Sequence, residues 1–234
     1  ATINKQLGRV DKPIRLSVDE WNNRHSVNKG NDFKFTRHDP RRQFDVAVTA
    51  GMLNAFIRQS PHVGMANYIF PVNAHGLIRT VGNDDAYQTP IYHVFKQYRE
   101  RLMGNKVDVN LNGPSIATAS INPTIAGDSR EAPYAVDSLT YIDAAAVMNS
   151  DKAIHLSLVN RSHDKSQKIT IDIPEGYTSG SIWMLSNADI NAENTLENRT
   201  RVAPITKTIK ANRGKLNTEV PPCGLYILKL IPKR

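Results

Sequence analysis

The sequence predicts an α+β chain in two parts, residues 1–104 and 105–234. Strand-like and helix-like segments alternate before Gly104, the signature of parallel βα units. After Gly104 the pattern turns to short alternating strands separated by turn residues, the signature of an all-β sandwich. No internal repeat or low-complexity segment interrupts either part.

Taken in order, Lys12 to Trp21 reads as a strand. Gln43 to Gln59 reads as a helix, with Val46, Ala50, Leu53 and Ile57 at helical spacing and Met52 and Phe56 beside them. Val63 to Asn73 is a second strand-like run. Thr89 to Met103 is a second helix, with Pro90 suited to its first turn and Gly104 to its C-terminal stop. Beyond it, Ile154, Leu156 and Leu158 fall on one face of a strand and His155, Ser157 and Val159 on the other. Ile169 to Ile173, Ser181 to Leu185 and Leu225 to Ile231 are further strands, and the Asn-rich stretch Asn187 to Arg199 is a loop.

Composition narrows the function classes. Of 234 residues, 40% are hydrophobic and 22% charged, an ordinary globular balance. A net charge of +8 invites nucleic-acid binding. That needs a concentrated basic stripe, and the densest cluster, Arg37-His38-Asp39-Pro40-Arg41-Arg42, is short and interrupted. It is expected to be a solvated basic surface, with no nucleic-acid partner. The 7 histidines never pair at ligand spacing, so no metal is expected. A single cysteine, Cys223, excludes an internal disulfide. No apolar run is long enough for a membrane-spanning helix, and no membrane partner is expected. The first residues, Ala1 to Lys5, carry no signal-peptide pattern and no initiator Met, so localisation stays open and the chain is expected to be a processed or excised piece.

The strand Ile14-Arg15-Leu16-Ser17-Val18-Asp19-Glu20-Trp21 carries the chemistry. Side chains alternate along a strand, so Ile14, Leu16, Val18 and Glu20 share one face and Arg15, Ser17, Asp19 and Trp21 the other. Apolar residues ending in a carboxylate suit a catalytic barrel strand, whose last inward residue opens onto the active-site face. Equally, Glu20 can simply end a strand in solvent. Asp19 points away from Glu20 and is no acid/base partner to it; its place is that of a hydrogen-bonding group. Trp21 is either a packing residue or an aromatic platform for a sugar.

The run Ile14 to Asn22 resembles the nucleophile motif of family 51 glycoside hydrolases, the α-L-arabinofuranosidases. Ala50-Gly51-Met52-Leu53-Asn54-Ala55-Phe56 resembles the helix that follows, Val63 to Thr80 the eighth barrel strand and its loop, and Thr89 to Phe95 the last barrel helix. Val159 to Ser162, Asn191 to Thr195 and Val220 to Gly224 resemble landmarks of the C-terminal sandwich. The order and spacing of these pieces carry the resemblance.

It implies the last two βα units of a (β/α)8 barrel, residues 1–104, followed by a jelly-roll-like β-sandwich, residues 105–234. It implies a retaining hydrolase, with Glu20 as the nucleophile, no cofactor, and arabinose-containing oligo- or polysaccharides as substrates. A second carboxyl group about 5 Å away would act as acid/base, and no residue of this chain matches it. A full barrel takes about 250 residues, so the chain is expected to lack the N-terminal part of its protein and to be inactive alone. Homo-oligomers are common in that family. Asn23-Arg24-His25 replaces a usual aromatic pair, and Phe70 stands where the family often has a sugar-contacting Gln. Trp21 and Phe70 are the candidates for lining the sugar site. Residues 105–234 are expected to fold alone. The rival is a non-catalytic sandwich for oligomerisation or sugar binding; a row of exposed aromatics on one sheet face would favour sugar binding, and Tyr134, Tyr141, Tyr177 and Trp183 are too scattered in sequence to decide it.

Overall fold

The computed structural model describes residues 2–23, 26–29, 32–35, 40–117 and 138–233. In chain order the elements are α1 (Thr2–Gln6), β1 (Leu16–Trp21), β2 (Ser26–Lys29), β3 (Asp32–Phe35), α2 (Gln43–Arg58), β4 (Val63–Tyr68), β5 (Ile78–Val81), β6 (Asp85–Gln88) and α3 (Pro90–Arg101). Then come β7 (Asn105–Val107), β8 (Ser115–Ala117), β9 (Ser138–Thr140), β10 (Ile142–Met148), β11 (Ile154–Asn160), β12 (Gln167–Asp172), β13 (Tyr177–Leu185), β14 (Ile205–Thr208), β15 (Lys215–Val220) and β16 (Leu225–Pro232).

Before Gly104, β1 and β4 pair in parallel, while β2–β3 and β5–β6 are antiparallel hairpins. The hairpin β5–β6 lies where the sequence suggested only the end of a strand and a loop. The first strand is shorter than expected, because the Asn4 side chain caps the approach to it. Asn4 Oδ1 accepts from Ile14 N at 2.7 Å and Nδ2 donates to Ile14 O at 3.0 Å.

The larger part is built on a six-stranded sheet in the order β14-β13-β16-β11-β10-β7, antiparallel throughout. Both faces of its central strands are buried. Ile154, Leu156 and Leu158 of β11 join Ile182, Leu228, Leu216 and Val220 in a core beneath the small β12–β15 sheet. On the opposite face, Val159, Trp183, Leu185, Leu225 and Ile227 meet Val46, Ala47 and Ala50 of α2 and Val94 and Tyr98 of α3. The alternation predicted for β11 is therefore what separates the two cores.

Helix α2 forms because its apolar residues recur at helical spacing and its first turn is well capped. The Asp45 carboxylate accepts the Arg42 backbone N–H at 2.8 Å, and a negative charge near a helix N-terminus is favourable. The Gln43 and Phe44 N–H groups donate to Ala192 O at 2.9 Å and Ile190 O at 3.0 Å, so the Asn-rich loop caps α2 from the other part of the chain. A polar seam crosses the same contact. Tyr98 OH donates to Asn54 Oδ1 at 2.7 Å and lies 2.8 Å from Ser157 Oγ, while Asn54 Nδ2 donates to Asp143 Oδ2 at 2.9 Å.

Candidate active site

Strands β1 and β4 run side by side, with Leu16 beside Val63, Val18 beside Ala66 and Trp21 beside Tyr68. The register shifts between Val18 and Trp21, and Asp19 and Glu20 fall inside that shift. Trp21 is buried, its ring 5.3 Å from Phe56 of α2, 5.0 Å from Tyr68 and 5.8 Å from Phe95 of α3. This aromatic cluster fastens the strand pair to both helices. Trp21 is the buried member and contributes about 2–3 kcal/mol by area alone, while Phe56, Tyr68 and Phe95 are half-buried.

Glu20 is exposed and makes no hydrogen bond or ion pair among the described residues. Asp19, also exposed, accepts from Ser17 Oγ at 2.5 Å. The strand pair and its approach also leave Ile14, Leu16 and Met65 exposed, at 52%, 66% and 52%. Thus Glu20 and Trp21, adjacent in sequence, have opposite environments: one presented outward, one locked into packing.

Just beyond Trp21 the chain is clamped. Arg41 is 1% exposed and its guanidinium reaches three segments. Nε donates to His75 O at 2.8 Å, Nη1 to Asp45 Oδ1 at 3.1 Å, and Nη2 to Asn22 Oδ1 at 2.6 Å and Asn23 O at 2.7 Å. Asn22 Nδ2 donates to Ile69 O at 2.9 Å, and Tyr68 OH lies 2.7 Å from His75 O and 3.0 Å from Asn22 Oδ1. Burial pushes the Tyr68 hydroxyl up to about 12, with the nearby Arg41 charge opposing the shift.

The segment after β4 is held in an uncommon backbone. Phe70, Asn73 and Ala74 have φ of 57°, 54° and 42°, which costs a side-chain-bearing residue about 1–2 kcal/mol each. Gly76 is needed there, since a Cβ would lie 2.6–2.7 Å from the carbonyl oxygens of Asn73, Phe70 and Pro71. Phe70 follows two residues after Tyr68, the partner of Trp21, and is 37% exposed.

The structure therefore brings Glu20 and Phe70 to the same C-terminal end of the strand pair and turns Trp21 into the packing behind them. Sequence reasoning missed Arg41, Asp45, Asn22 and Tyr68. It read Arg41 as part of a solvated basic cluster, and the structure corrects this: Arg41 and Asp45 form an ion pair with both side chains fully buried. Their i,i+4 spacing across a helix start was the available signal. Arg37, His38 and Asp39 of that cluster, and Arg24 and His25, lie outside the described residues. Among the described residues no group of three His, Cys, Asp or Glu could hold a metal ion.

The arrangement is a parallel strand pair with a carboxylate at its C-terminal end, joined through two helices to an antiparallel β-sheet unit. The family comparison makes this specific: the chain belongs to the α-L-arabinofuranosidase C-terminal domain family, whose model matches residues 19–223. An intracellular exo-α-L-arabinofuranosidase of Bacteroides ovatus is 25% identical over 222 residues, 94% of this chain and 40% of that protein. The crystal structure of the family 51 arabinofuranosidase of Xanthomonas axonopodis pv. citri superposes with a TM-score of 0.74 at 22% identity, over 97% of this chain and 44% of that one. The Thermotoga maritima α-L-arabinofuranosidase, solved as an arabinose complex, gives 0.74 at 24% identity, over 97% and 46%. The chain thus spans less than half the length of the relatives it matches.

Proposed function

We propose that the chain is the C-terminal part of a retaining α-L-arabinofuranosidase that removes terminal arabinofuranosyl residues from plant oligo- or polysaccharides. The observation that carries this is the exposed Glu20 carboxylate at the C-terminal end of a parallel strand whose neighbour, Trp21, is locked into the helix layer. In this reading residues 1–104 hold the last two βα units of a (β/α)8 barrel and residues 105–234 a jelly-roll-like sandwich. Exposed Ile14, Leu16 and Met65 then belong to the barrel interior that further strands would close.

The Glu20 carboxylate attacks the anomeric carbon, a C–O bond to enzyme forms, and the bond to the leaving oxygen breaks. A carboxylic acid from outside this chain donates its proton to that oxygen. The resulting carboxylate then takes a proton from water, which attacks the same carbon and frees both arabinose and Glu20. Phe70 lines the sugar at the rim. Trp21 is assigned to support instead, because the residue is only 8% exposed.

In the full-length protein, Glu20→Gln is expected to lower turnover of an aryl α-L-arabinofuranoside about a thousandfold or more. A fluorinated arabinofuranosyl inactivator is expected to label Glu20. Full activity of the Glu20→Gln protein would refute the assignment, and this chain alone is expected to show no turnover. The non-catalytic module has no support at Trp183, which is 2% exposed inside the core; Tyr134 lies outside the described residues.

A further inference from the structure

The ladder between β1 and β4 does not by itself fix Glu20. The register shift between Val18 and Trp21 leaves Asp19 and Glu20 without paired residues on β4. The last backbone bond of the pair is Ile69 N to Trp21 O at 3.2 Å. The segment carrying Glu20 is therefore held at its two ends, by Val18 beside Ala66 before it and by Trp21 and the residues that follow after it.

We propose that Arg41 is a positioning residue for Glu20, acting through Asn22 and Asn23. This rests on the assignment of Glu20 as nucleophile. Arg41 spends its charge on Asp45, 3.1 Å away and equally buried, so it does not act as a counter-ion in the site. Its remaining donors grip the Asn22 side chain, the Asn23 carbonyl and the His75 carbonyl. Two of these acceptors, Asn22 Oδ1 at 3.0 Å and His75 O at 2.7 Å, are also within reach of Tyr68 OH, whose one proton supports one of the points that the guanidinium holds. Asn22 is fixed from its other side through Nδ2 to Ile69 O. One planar cation thus ties the exit of β1, the loop after β4 and the start of α2 into one rim, two residues downstream of the nucleophile. Lysine cannot reproduce this, since it lacks the rigid fork of donors.

The test uses the full-length protein. Arg41→Lys is expected to lower kcat by about tenfold to a hundredfold, as displacement of a reacting group by about 1 Å does. KM should stay within about threefold, and the rate of labelling of Glu20 by the fluorinated inactivator should fall in parallel with kcat. Tyr68→Phe, which removes one hydroxyl and keeps the ring packing, should move kcat and labelling in the same direction by a smaller factor. Folded Arg41→Lys protein with unchanged kcat, or with a change confined to KM, overturns the proposal. If Arg41→Lys does not fold, Tyr68→Phe decides, and wild-type labelling by that variant overturns it. Activity surviving in Glu20→Gln is a separate result, which removes the nucleophile assignment and this proposal with it.

Discussion

Asp143 of β10 is 4% exposed and stands between Arg58 of α2 and Arg161, each at 2.8 Å, with Asn54 completing its hydrogen bonds. Removing it leaves two cations facing each other at the contact between helix and sheet. Asp143→Ala is therefore expected to destabilise the chain by about 2–3 kcal/mol in urea unfolding. That is below the loss for a fully buried pair, because both arginines keep some access to water. His155 behaves differently. Burial, with Lys229 and Arg101 nearby, pushes it down to about 4 from an ordinary 6.5, with Asp151 opposing, and its buried Nδ1 has no partner among the described residues. Between those two values an unfolded chain binds a proton that the folded chain refuses. Stability therefore falls as pH drops from about 6.5 to about 4 and is complete above that window. A His155→Gln chain should lose about 1–2 kcal/mol less than the parent between pH 7 and pH 5, read from urea midpoints at the two pH values. Asp143 does not announce Asn54, 89 residues away, and Arg41 announces Asp45 by i,i+4 spacing but not Asn22, 19 residues away. The strand alternation that put Glu20 and Trp21 on opposite faces needed only immediate neighbours, whereas the role proposed for Glu20 came from the family resemblance.

Helices α2 and α3 fall within two residues of the expected limits because their signals are local: an apolar stripe, Pro90 at a start, Gly104 after an end. Strand β10 gave no such signal. Its Ala144-Ala145-Ala146 run has poor strand propensity, and it is a strand because β7 and β11 flank it and both its faces are buried. The hairpin β5–β6 was hidden for a related reason. Arg199 holds it from outside, pairing with both Asp85 oxygens at 2.7–2.8 Å. Gly104 shows an element boundary fixed by close approach. Its φ is 154°, and a Cβ there would lie 2.2 Å from Met148 O. Gly104→Ala must push the end of α3 away from the end of β10, at an expected cost of about 2–4 kcal/mol. Thermal unfolding measures this directly, and an unchanged Tm would show that the turn between helix and sheet yields freely.

At the scale of the molecule, the change of secondary structure expected at Gly104 brings no gap in packing. One core joins Val46, Ala50, Val94 and Tyr98 of the helices to Val159, Trp183, Leu185 and Ile227 of the sheet. The same helix α2 reaches Trp21 through Phe56 at 5.3 Å, so the sheet braces the strand that presents Glu20. Independence of residues 105–234 was a reasonable expectation from strand alternation alone, which cannot say what covers each face. The structure supplies the cover. Without the helices, the face bearing Val147, Val159, Trp183, Leu185, Leu225 and Ile227 would meet water, and each large side chain returned to solvent forfeits about 1.5–3 kcal/mol. A chain cut to residues 105–234 is therefore expected to bind a hydrophobic dye and to unfold at lower urea than one cut to residues 40–234, which keeps both helices and the capping contacts of Ile190 and Ala192. Equal midpoints with no dye binding would mean that the sheet stands without its helix layer, and α2 would then support Glu20 with no stability returned to the sandwich.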